Sequence, residues 1–216
     1  MSQTSKLASV TVARLTQEER SALSDARMAD AAVKLICERG AVATTLKDVG
    51  IEAGYSRGLA SYRFKSKAGL WAFLIRTIGE EWLNELQQAV KATTGLDTIH
   101  AAVDAHCDFL LESSDRVKAF YILWFDSVGP DEDLRRVIAG AHRRRQRDVE
   151  AWITKGIETG QIPRTVDVSQ VAAQFAASVI GIVYAWLLSP LTPDQVRALH
   201  DGLKQQMTAA LRGPNP

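Results

Sequence analysis

Apolar residues recur at the spacing of an α-helix along almost the whole chain. In the first clear segment Ala29, Ala32, Val33 and Ile36 stand three or four positions apart, and Gly40 stands where a glycine would end the helix. A later segment carries a longer stripe at the same spacing, formed by Leu70, Phe73, Leu74, Ile78, Trp82, Leu86 and Ala89. No segment alternates apolar and polar residues for long enough to predict a sheet, so the pattern predicts an all-α fold.

Capping signals and helix breakers divide this pattern into about nine helices. Thr45 and Asp48 form a capping-box pattern that opens a short second helix, and Gly54 ends it. Ser56 is predicted to cap a third helix that ends near Phe64, and a long fourth helix follows from Lys67. The remaining helices are predicted over residues 97–113, 115–127, 131–159, 168–188 and 193–212. Residues 1–20 and 213–216 are predicted to be disordered or only partly ordered.

Composition favours a soluble protein of the cytoplasm. Hydrophobic residues make up 46% of the 216 positions and charged residues 24%, values that are ordinary for a globular protein. The two cysteines, Cys37 and Cys107, lack the spacing of a zinc site and are too few for a disulfide framework. The longest uninterrupted apolar run, residues 179–188, is about half of what a membrane span needs. We therefore expect no membrane association and a cytoplasmic location.

The positive charge is concentrated at one end of the chain. Residues 1–76 contain twelve Lys and Arg against seven acids, a net +5, whereas the remainder has a net −4. A basic segment on an acidic body suggests a polyanionic partner at one end only. The basic run at residues 142–147 could be a second nucleic-acid site, but nearby Asp148 and Glu150 favour a solvated helix face.

Three short helices followed by a long one, with a glycine between the second and third, are typical of a helix-turn-helix. Residues 44–70 resemble the DNA-binding signature of the TetR family of transcriptional regulators. The positions that match it without a gap are Thr45, Asp48, Ala53, Gly54, Ser56, Gly58, Phe64, Ser66, Lys67 and Leu70. The chain departs from the signature at Gly50, where alanine is usual, and at Ser61, since its aromatic residue stands one position later.

The resemblance implies a role for each matching residue in binding double-stranded DNA. Thr45 is expected to bond a phosphate through its hydroxyl and backbone N–H, and Lys67 to clamp the DNA backbone. Arg57 is expected to read a guanine, because a guanidinium matches its O6 and N7 acceptors. The other expected DNA contacts are Ser56, Gly58, Ser61 and Tyr62. Val49, Leu59 and Phe64 are assigned to the small core of the helix-turn-helix domain, which we call the head.

The chain beyond residue 70 carries aromatic residues rather than catalytic motifs. The four histidines are scattered and no nucleotide-binding or hydrolase motif occurs, so we expect no enzyme activity, no metal site and no cofactor. The resemblance implies an effector cavity enclosed by helices four to eight. Its expected lining is Trp82, His106, Phe109, Trp124, Phe125, Trp152 and Phe175. The expected ligand is an unidentified small molecule, apolar or aromatic, with a cation as one option because ring faces attract cations.

Two apolar stripes on the last two helices predict a homodimer. They consist of Val171, Phe175, Val179, Ile182, Val183 and Trp186, and of Val196, Leu199, Leu203, Met207 and Leu211. A monomer could bury both stripes, but the family resemblance implies that such a pair packs against its two-fold mate. Residues 156–190 also resemble the C-terminal domain of the BetI-like subgroup of this family.

Together these features predict a ligand-responsive repressor in three parts. Residues 1–20 form an arm, residues 21–66 the helix-turn-helix domain, and residues 67–212 the effector-binding and dimerisation domain. An effector would act through the fourth helix and spread the two recognition helices. The main alternative is a helical small-molecule-binding protein without DNA function, and a further alternative is an α-helical enzyme, which the lack of paired titratable groups disfavours.

Overall fold

A computed structural model describes residues 16–189 and 191–212, and within these residues the chain forms nine α-helices and no strand. This confirms the all-α fold. The helices are α1 (Gln17–Ala43), α2 (Leu46–Glu52), α3 (Leu59–Phe64), α4 (Lys67–Val90), α5 (Leu96–Glu112), α6 (Ser114–Asp126), α7 (Glu132–Glu158), α8 (Val168–Leu188) and α9 (Pro193–Arg212).

Helix α1 begins earlier than the apolar pattern indicates. Thr16 caps it in a reciprocal capping box with Glu19, whose carboxylate accepts from the Thr16 backbone N–H at 2.7 Å. Residues 17–20 are therefore helical, although the sequence assigned them to the arm. The rest of the predicted disorder, at residues 1–15 and 213–216, lies outside the described residues. Gly40 interrupts the helix with φ of 80°, the left-handed conformation expected of a terminating glycine.

The start of α3 differs from the prediction, whereas that of α4 agrees with it. Gly58, not Ser56, is the N-cap residue of α3, and no side chain caps this helix, so Ser56 contributes only its backbone carbonyl to the preceding turn. Ser66 caps α4 through a bond from the Gly69 backbone N–H at 3.0 Å, so Lys67 is the first helical residue.

Two groups of buried side chains hold the helices together. The first joins α1, α2 and α3 to α4, α5 and α6, and includes the fully buried Met28, Ile36, Val49 and Leu74. The second joins α5, α7, α8 and α9 around residues such as Ile153 and Phe175. The first group runs without interruption from the three-helix head into the body. A shift of α4 or α6 is therefore expected to displace side chains packed in the head. The domain boundary at residues 66 and 67 stays a prediction.

One face of the apolar helix α8 lies in the core. By length and composition alone, the 21 residues of Val168–Leu188 could cross a bilayer. The uninterrupted apolar run at residues 179–188 is too short to indicate this. The helix instead packs between α7 and α9.

The apolar stripes of α8 and α9 are satisfied within the chain. Their members are mostly buried, except that Trp186 is half-buried and Leu199 is 41% exposed. The exposed apolar positions of α8 lie on its opposite face, where Tyr184 is 52% and Leu188 66% exposed. A dimer through these helices therefore has to use that other face, and not the stripes named from the sequence.

Candidate nucleic-acid interface and ligand cavity

The second and third helices cross at a close approach that only glycine allows. A Cβ on Gly50 would lie 2.9 Å from the backbone oxygen of Ser56, which leads into α3. The turn between the helices is fixed by a bond from the Tyr55 N–H to the Gly50 carbonyl at 2.9 Å and by Gly54 at φ of 79°. The family-typical alanine at position 50 would not fit this geometry.

One face of α3 and of the turn before it is open to solvent. Ser56, Arg57, Gly58 and Ser61 are exposed and Tyr62 is 74% exposed. Positions 57 and 61, and positions 58 and 62, are four residues apart, so these residues share one side. The other side faces inward through the buried Ala60 and Phe64; Val49 is also buried and Leu59 is half-buried, as the sequence predicted.

Several basic side chains of the three-helix head lack an acidic partner. Within the described residues Lys47, Arg57 and Lys65 form no salt bridge, whereas several other basic side chains of the head do. Arg63 is the contrast: it pairs with Asp25 and donates to the Ser21 hydroxyl at 2.8 Å, which attaches α3 to α1. Unpaired cations on an exposed helix attract the phosphates of nucleic acid.

Two predicted phosphate contacts are engaged inside the protein. The Thr45 hydroxyl donates to the Asp48 carboxylate at 2.6 Å and caps α2, which leaves its backbone N–H as the group open to a phosphate. The Lys67 amine donates to the Val42 carbonyl at 2.7 Å, at the end of α1. Lys67 thus holds the segment that leads into α2, a role that sequence spacing could not reveal.

A cavity of about 420 Å³ lies among α4, α5, α6, α7 and α8. Five of the seven predicted residues line it: Trp82, His106, Trp124, Trp152 and Phe175. Phe109 and Phe125 do not. Phe109 packs against the outer side of Trp82 and lines a separate groove, and Phe125 stacks edge-on against Tyr184.

The cavity also carries charges that the sequence analysis did not assign to it. Its lining includes four arginines and two carboxylates, a net +2, namely Arg76, Arg136, Arg144, Arg145, Glu80 and Asp148. This balance opposes the cationic ligand that the aromatic residues suggested. The basic run at residues 142–147 is only partly a solvated face, because His142 and Arg145 turn inward while Arg143, Arg144 and Arg147 are exposed.

His106 reaches the cavity in its neutral form. Burial, with the neighbouring His200 and then Arg145, holds the pKa of His106 well below 6.5. The two rings are joined by a 3.0 Å bond from Nδ1 of His106 to Nε2 of His200, whose Nδ1 lies 2.8 Å from the Val196 carbonyl. A carbonyl only accepts, so His200 carries its proton on Nδ1 and His106 must donate from Nδ1. Nε2 of His106 is left as an acceptor.

Helices α4 and α6 connect the cavity with the head. α4 begins beside the head and lines the cavity from Ala72 to Leu86, and α6 contributes Phe120 and Trp124 while packing along α1. Arg116 of α6 bonds Glu81 of α4 at 2.9 Å and Asp30 of α1 at 2.5 Å. This three-helix junction is a contact that only the tertiary structure shows.

Comparison with family models identifies both halves of the chain. Residues 29–72 match the model for bacterial regulatory proteins of the tetR family, and residues 95–208, more than half of the chain, match the C-terminal model of BetI-type transcriptional repressors. The chain belongs to the TetR family. It is therefore a transcriptional regulator with a helix-turn-helix DNA-binding domain.

Relatives and solved structures agree with this assignment. The regulator TtgR from Pseudomonas putida is 28% identical, with 87% of this chain and 90% of the relative covered. A transcriptional regulator from Rhodococcus sp. Rha1 has the same fold with a TM-score of 0.74 at 20% identity, covering 89% of this chain and all of its own. FadR from Bacillus subtilis, solved in complex with stearoyl-CoA, has a TM-score of 0.72 at 17% identity, covering 88% and 99%.

Proposed function

We propose that this regulator is a cytoplasmic repressor that binds a palindromic operator as a homodimer and is released by a small effector. The observation that carries the proposal is the exposed face of α3, on which Arg57, Ser61 and Tyr62 stand clear of the protein. A six-residue helix of this kind fits a major groove about 12 Å wide. Arg57 is proposed to read a guanine, with Ser56, Gly58, Ser61 and Tyr62 beside it.

The dimer is proposed to form through the outer face of α8. Ala173, Ala177, Gly181, Tyr184 and Leu188 are all exposed and follow one another at helical spacing, so they form one apolar strip of mostly small side chains. Burying Tyr184 and Leu188 against a second copy would remove their apolar surface from water. Small residues beside them let two helices approach closely, and the two-fold axis would present α3 twice.

The cavity is proposed to hold the effector and α4 to transmit its arrival. Trp82 and Leu86 on one end of α4 line the cavity, and the other end begins at Lys67 beside the DNA-facing head. The fatty-acyl complex of the FadR neighbour is support by analogy that this fold holds small molecules. An effector that binds better when the recognition helices are spread would lower the affinity for DNA.

A variant of Gly181 tests the proposal. A Cβ at Gly181 meets nothing within 4 Å, so Gly181→Arg should leave the monomer folded and block the α8 interface. Ala151→Arg on α7 is the matched control, because Ala151 is also a small exposed residue of a long helix and does not line the cavity. Light scattering should give about 47 kDa for wild type and control, twice the 23.7 kDa chain, and one chain mass for Gly181→Arg.

The same proteins should then be titrated onto DNA from the region upstream of the gene, followed by fluorescence anisotropy. Wild type and Ala151→Arg should prefer that DNA to a scrambled duplex, and Gly181→Arg should lose most of the preference, since a monomer contacts one half-site. A wild-type protein that is monomeric, or that binds both DNAs equally, would contradict the proposal.

A further inference from the structure

We infer that the cavity takes an amphipathic organic anion, with an aromatic or aliphatic body between α4 and α8 and one carboxylate or sulfonate paired with Arg145. This inference rests on the proposed function, in which the cavity holds the effector. It replaces the cationic option and names the side chain that selects the ligand's charge.

The guanidinium of Arg145 is held in place and lacks an anion. Its Nη2 donates to the hydroxyl of the buried Tyr121 at 3.0 Å, and its charge lies 5.2 Å from the centre of the Trp124 ring. Its Nη1 is buried without any hydrogen-bond partner. Within the described residues Arg145 has no carboxylate within salt-bridge distance. Arg145 as a whole is half-buried, but an N–H group that is buried without a partner is costly, and an oxyanion is the acceptor that best relieves that cost.

The other three arginines of the lining, Arg76, Arg136 and Arg144, are exposed to solvent. Arg76 lies 3.9 Å from Glu80, and Arg136 is largely exposed and bonds Asp133 at 3.2 Å. Burial raises the pKa of Asp148, and the neighbouring Arg144 and Arg147 oppose that rise. Of the charged groups around the cavity, Arg145 is therefore the one for which a ligand would supply the missing hydrogen-bond acceptor.

The geometry also argues against a ligand cation. The face of Trp124, which could bind a cation, already carries the charge of Arg145. His106 is neutral and its pKa is depressed by burial and by the positive field of its surroundings. A second positive charge would be repelled by Arg145, while Trp82, Trp152 and Phe175 offer apolar walls for the body of the ligand.

Three probes with the same ring system test the charge preference: 2-naphthoate, 2-naphthamide and 2-naphthylmethylammonium. Each should be titrated calorimetrically into the full-length wild type and into Arg145→Gln and Arg143→Gln, at about pH 7.5, where the first is an anion and the last a cation. Arg143 is the matched control, because it is exposed on the same helix and does not line the cavity.

The wild type should bind naphthoate about 10- to 100-fold more tightly than naphthamide, the range of a charge-assisted hydrogen bond, and the ammonium most weakly. Arg145→Gln should bring naphthoate and naphthamide to within about threefold, and Arg143→Gln should keep the wild-type ranking. If Arg145→Gln does not fold, the wild-type ranking still decides the charge preference.

Several results would overturn the inference, and they separate it from the proposed function. Wild-type binding of the amide or the ammonium as tightly as naphthoate would refute the anion preference but leave an effector cavity in place. An undiminished naphthoate preference in Arg145→Gln would refute the role of Arg145. Failure of all three probes to bind would overturn both the inference and the effector part of the proposed function, while the DNA titration above would still test the regulator itself.

Discussion

The close approach at Gly50 predicts that alanine, the usual residue of the family at this position, is unfavourable in this chain. The chain has glycine where its family signature usually has alanine, and an added Cβ would lie 2.9 Å from the Ser56 carbonyl oxygen, against 3.4 Å or more in ordinary contact. The backbone that carries Arg57 would have to move by the difference. We therefore expect Gly50→Ala to displace the start of the recognition helix.

The effect on stability follows from two opposing terms. Alanine in α2 gains about 1 kcal/mol of helix propensity, and overpacking a close contact costs about 1–3 kcal/mol. The free energy of unfolding should therefore fall by about 0–2 kcal/mol. Gly140→Ala is the control, since its Cβ meets nothing within 4 Å and only the gain in propensity, up to about 1 kcal/mol, remains.

The effect on DNA binding should be larger than the effect on stability. A misplaced Arg57 forfeits a base contact worth about 1–3 kcal/mol, so operator affinity should fall about 5- to 150-fold. Binding to scrambled DNA rests on phosphate contacts and should change little. Urea unfolding and anisotropy titrations on both DNAs measure the two effects. A Gly50→Ala protein as stabilised as Gly140→Ala, with unchanged operator affinity, would show that the close approach is not real.

Further predictions concern base reading, pH and coupling. Arg57→Ala should weaken binding mainly at one or two operator base pairs, and equal losses on specific and scrambled DNA would refute base reading. Because burial holds the pKa of His106 below its value in the unfolded chain, the unfolded state gains a proton first as pH falls below about 6.5. The free energy of unfolding should therefore fall as pH falls, by on the order of 1 kcal/mol at pH 5.5, and urea unfolding of His106→Gln should show a flatter pH profile than that of the control His100→Gln. Arg116→Gln should lower the free energy of unfolding by less than about 2 kcal/mol, since its ion pairs are partly exposed. It should also reduce the effect of the effector on DNA affinity. Unchanged coupling in a DNA titration with and without effector would contradict a role of the α1–α4–α6 junction in transmission.

The helices were predictable from the sequence because their boundaries are set by local chemistry. Thr192 and Gln195 form the capping box that opens α9, Thr45 caps α2, and Gly40 breaks α1 at positive φ. The misassigned start of α3 has the same origin: Ser56 looks like a cap, but its carbonyl and not its hydroxyl serves the turn. Only the backbone conformation shows whether the hydroxyl of Ser56 caps the helix or its carbonyl closes the turn.

The chemistry of the cavity was predictable only in part. Aromatic residues on α4 to α8 pointed to it, but Phe109 and Phe125 show that helical phase alone does not say which side of a wall a ring occupies. The run around Arg145 reads as a solvated face because all its members are polar. Its inward turn depends on Tyr121, which lies 24 positions earlier on another helix. Such long-range pairings leave no local signal.

The measurement that bears most directly on the whole account is a dimethyl sulfate footprint of the full-length protein on its bound upstream DNA. The reagent methylates guanine N7 in the major groove and adenine N3 in the minor groove. If α3 reads the major groove twice, two clusters of guanines should be protected on one face of the duplex, about 34–36 Å apart or a multiple of that distance, and Arg57→Ala should expose one or two guanines in each. Protection confined to adenines, or a single cluster that Arg57→Ala leaves intact, would contradict the assignment of α3 as the recognition helix.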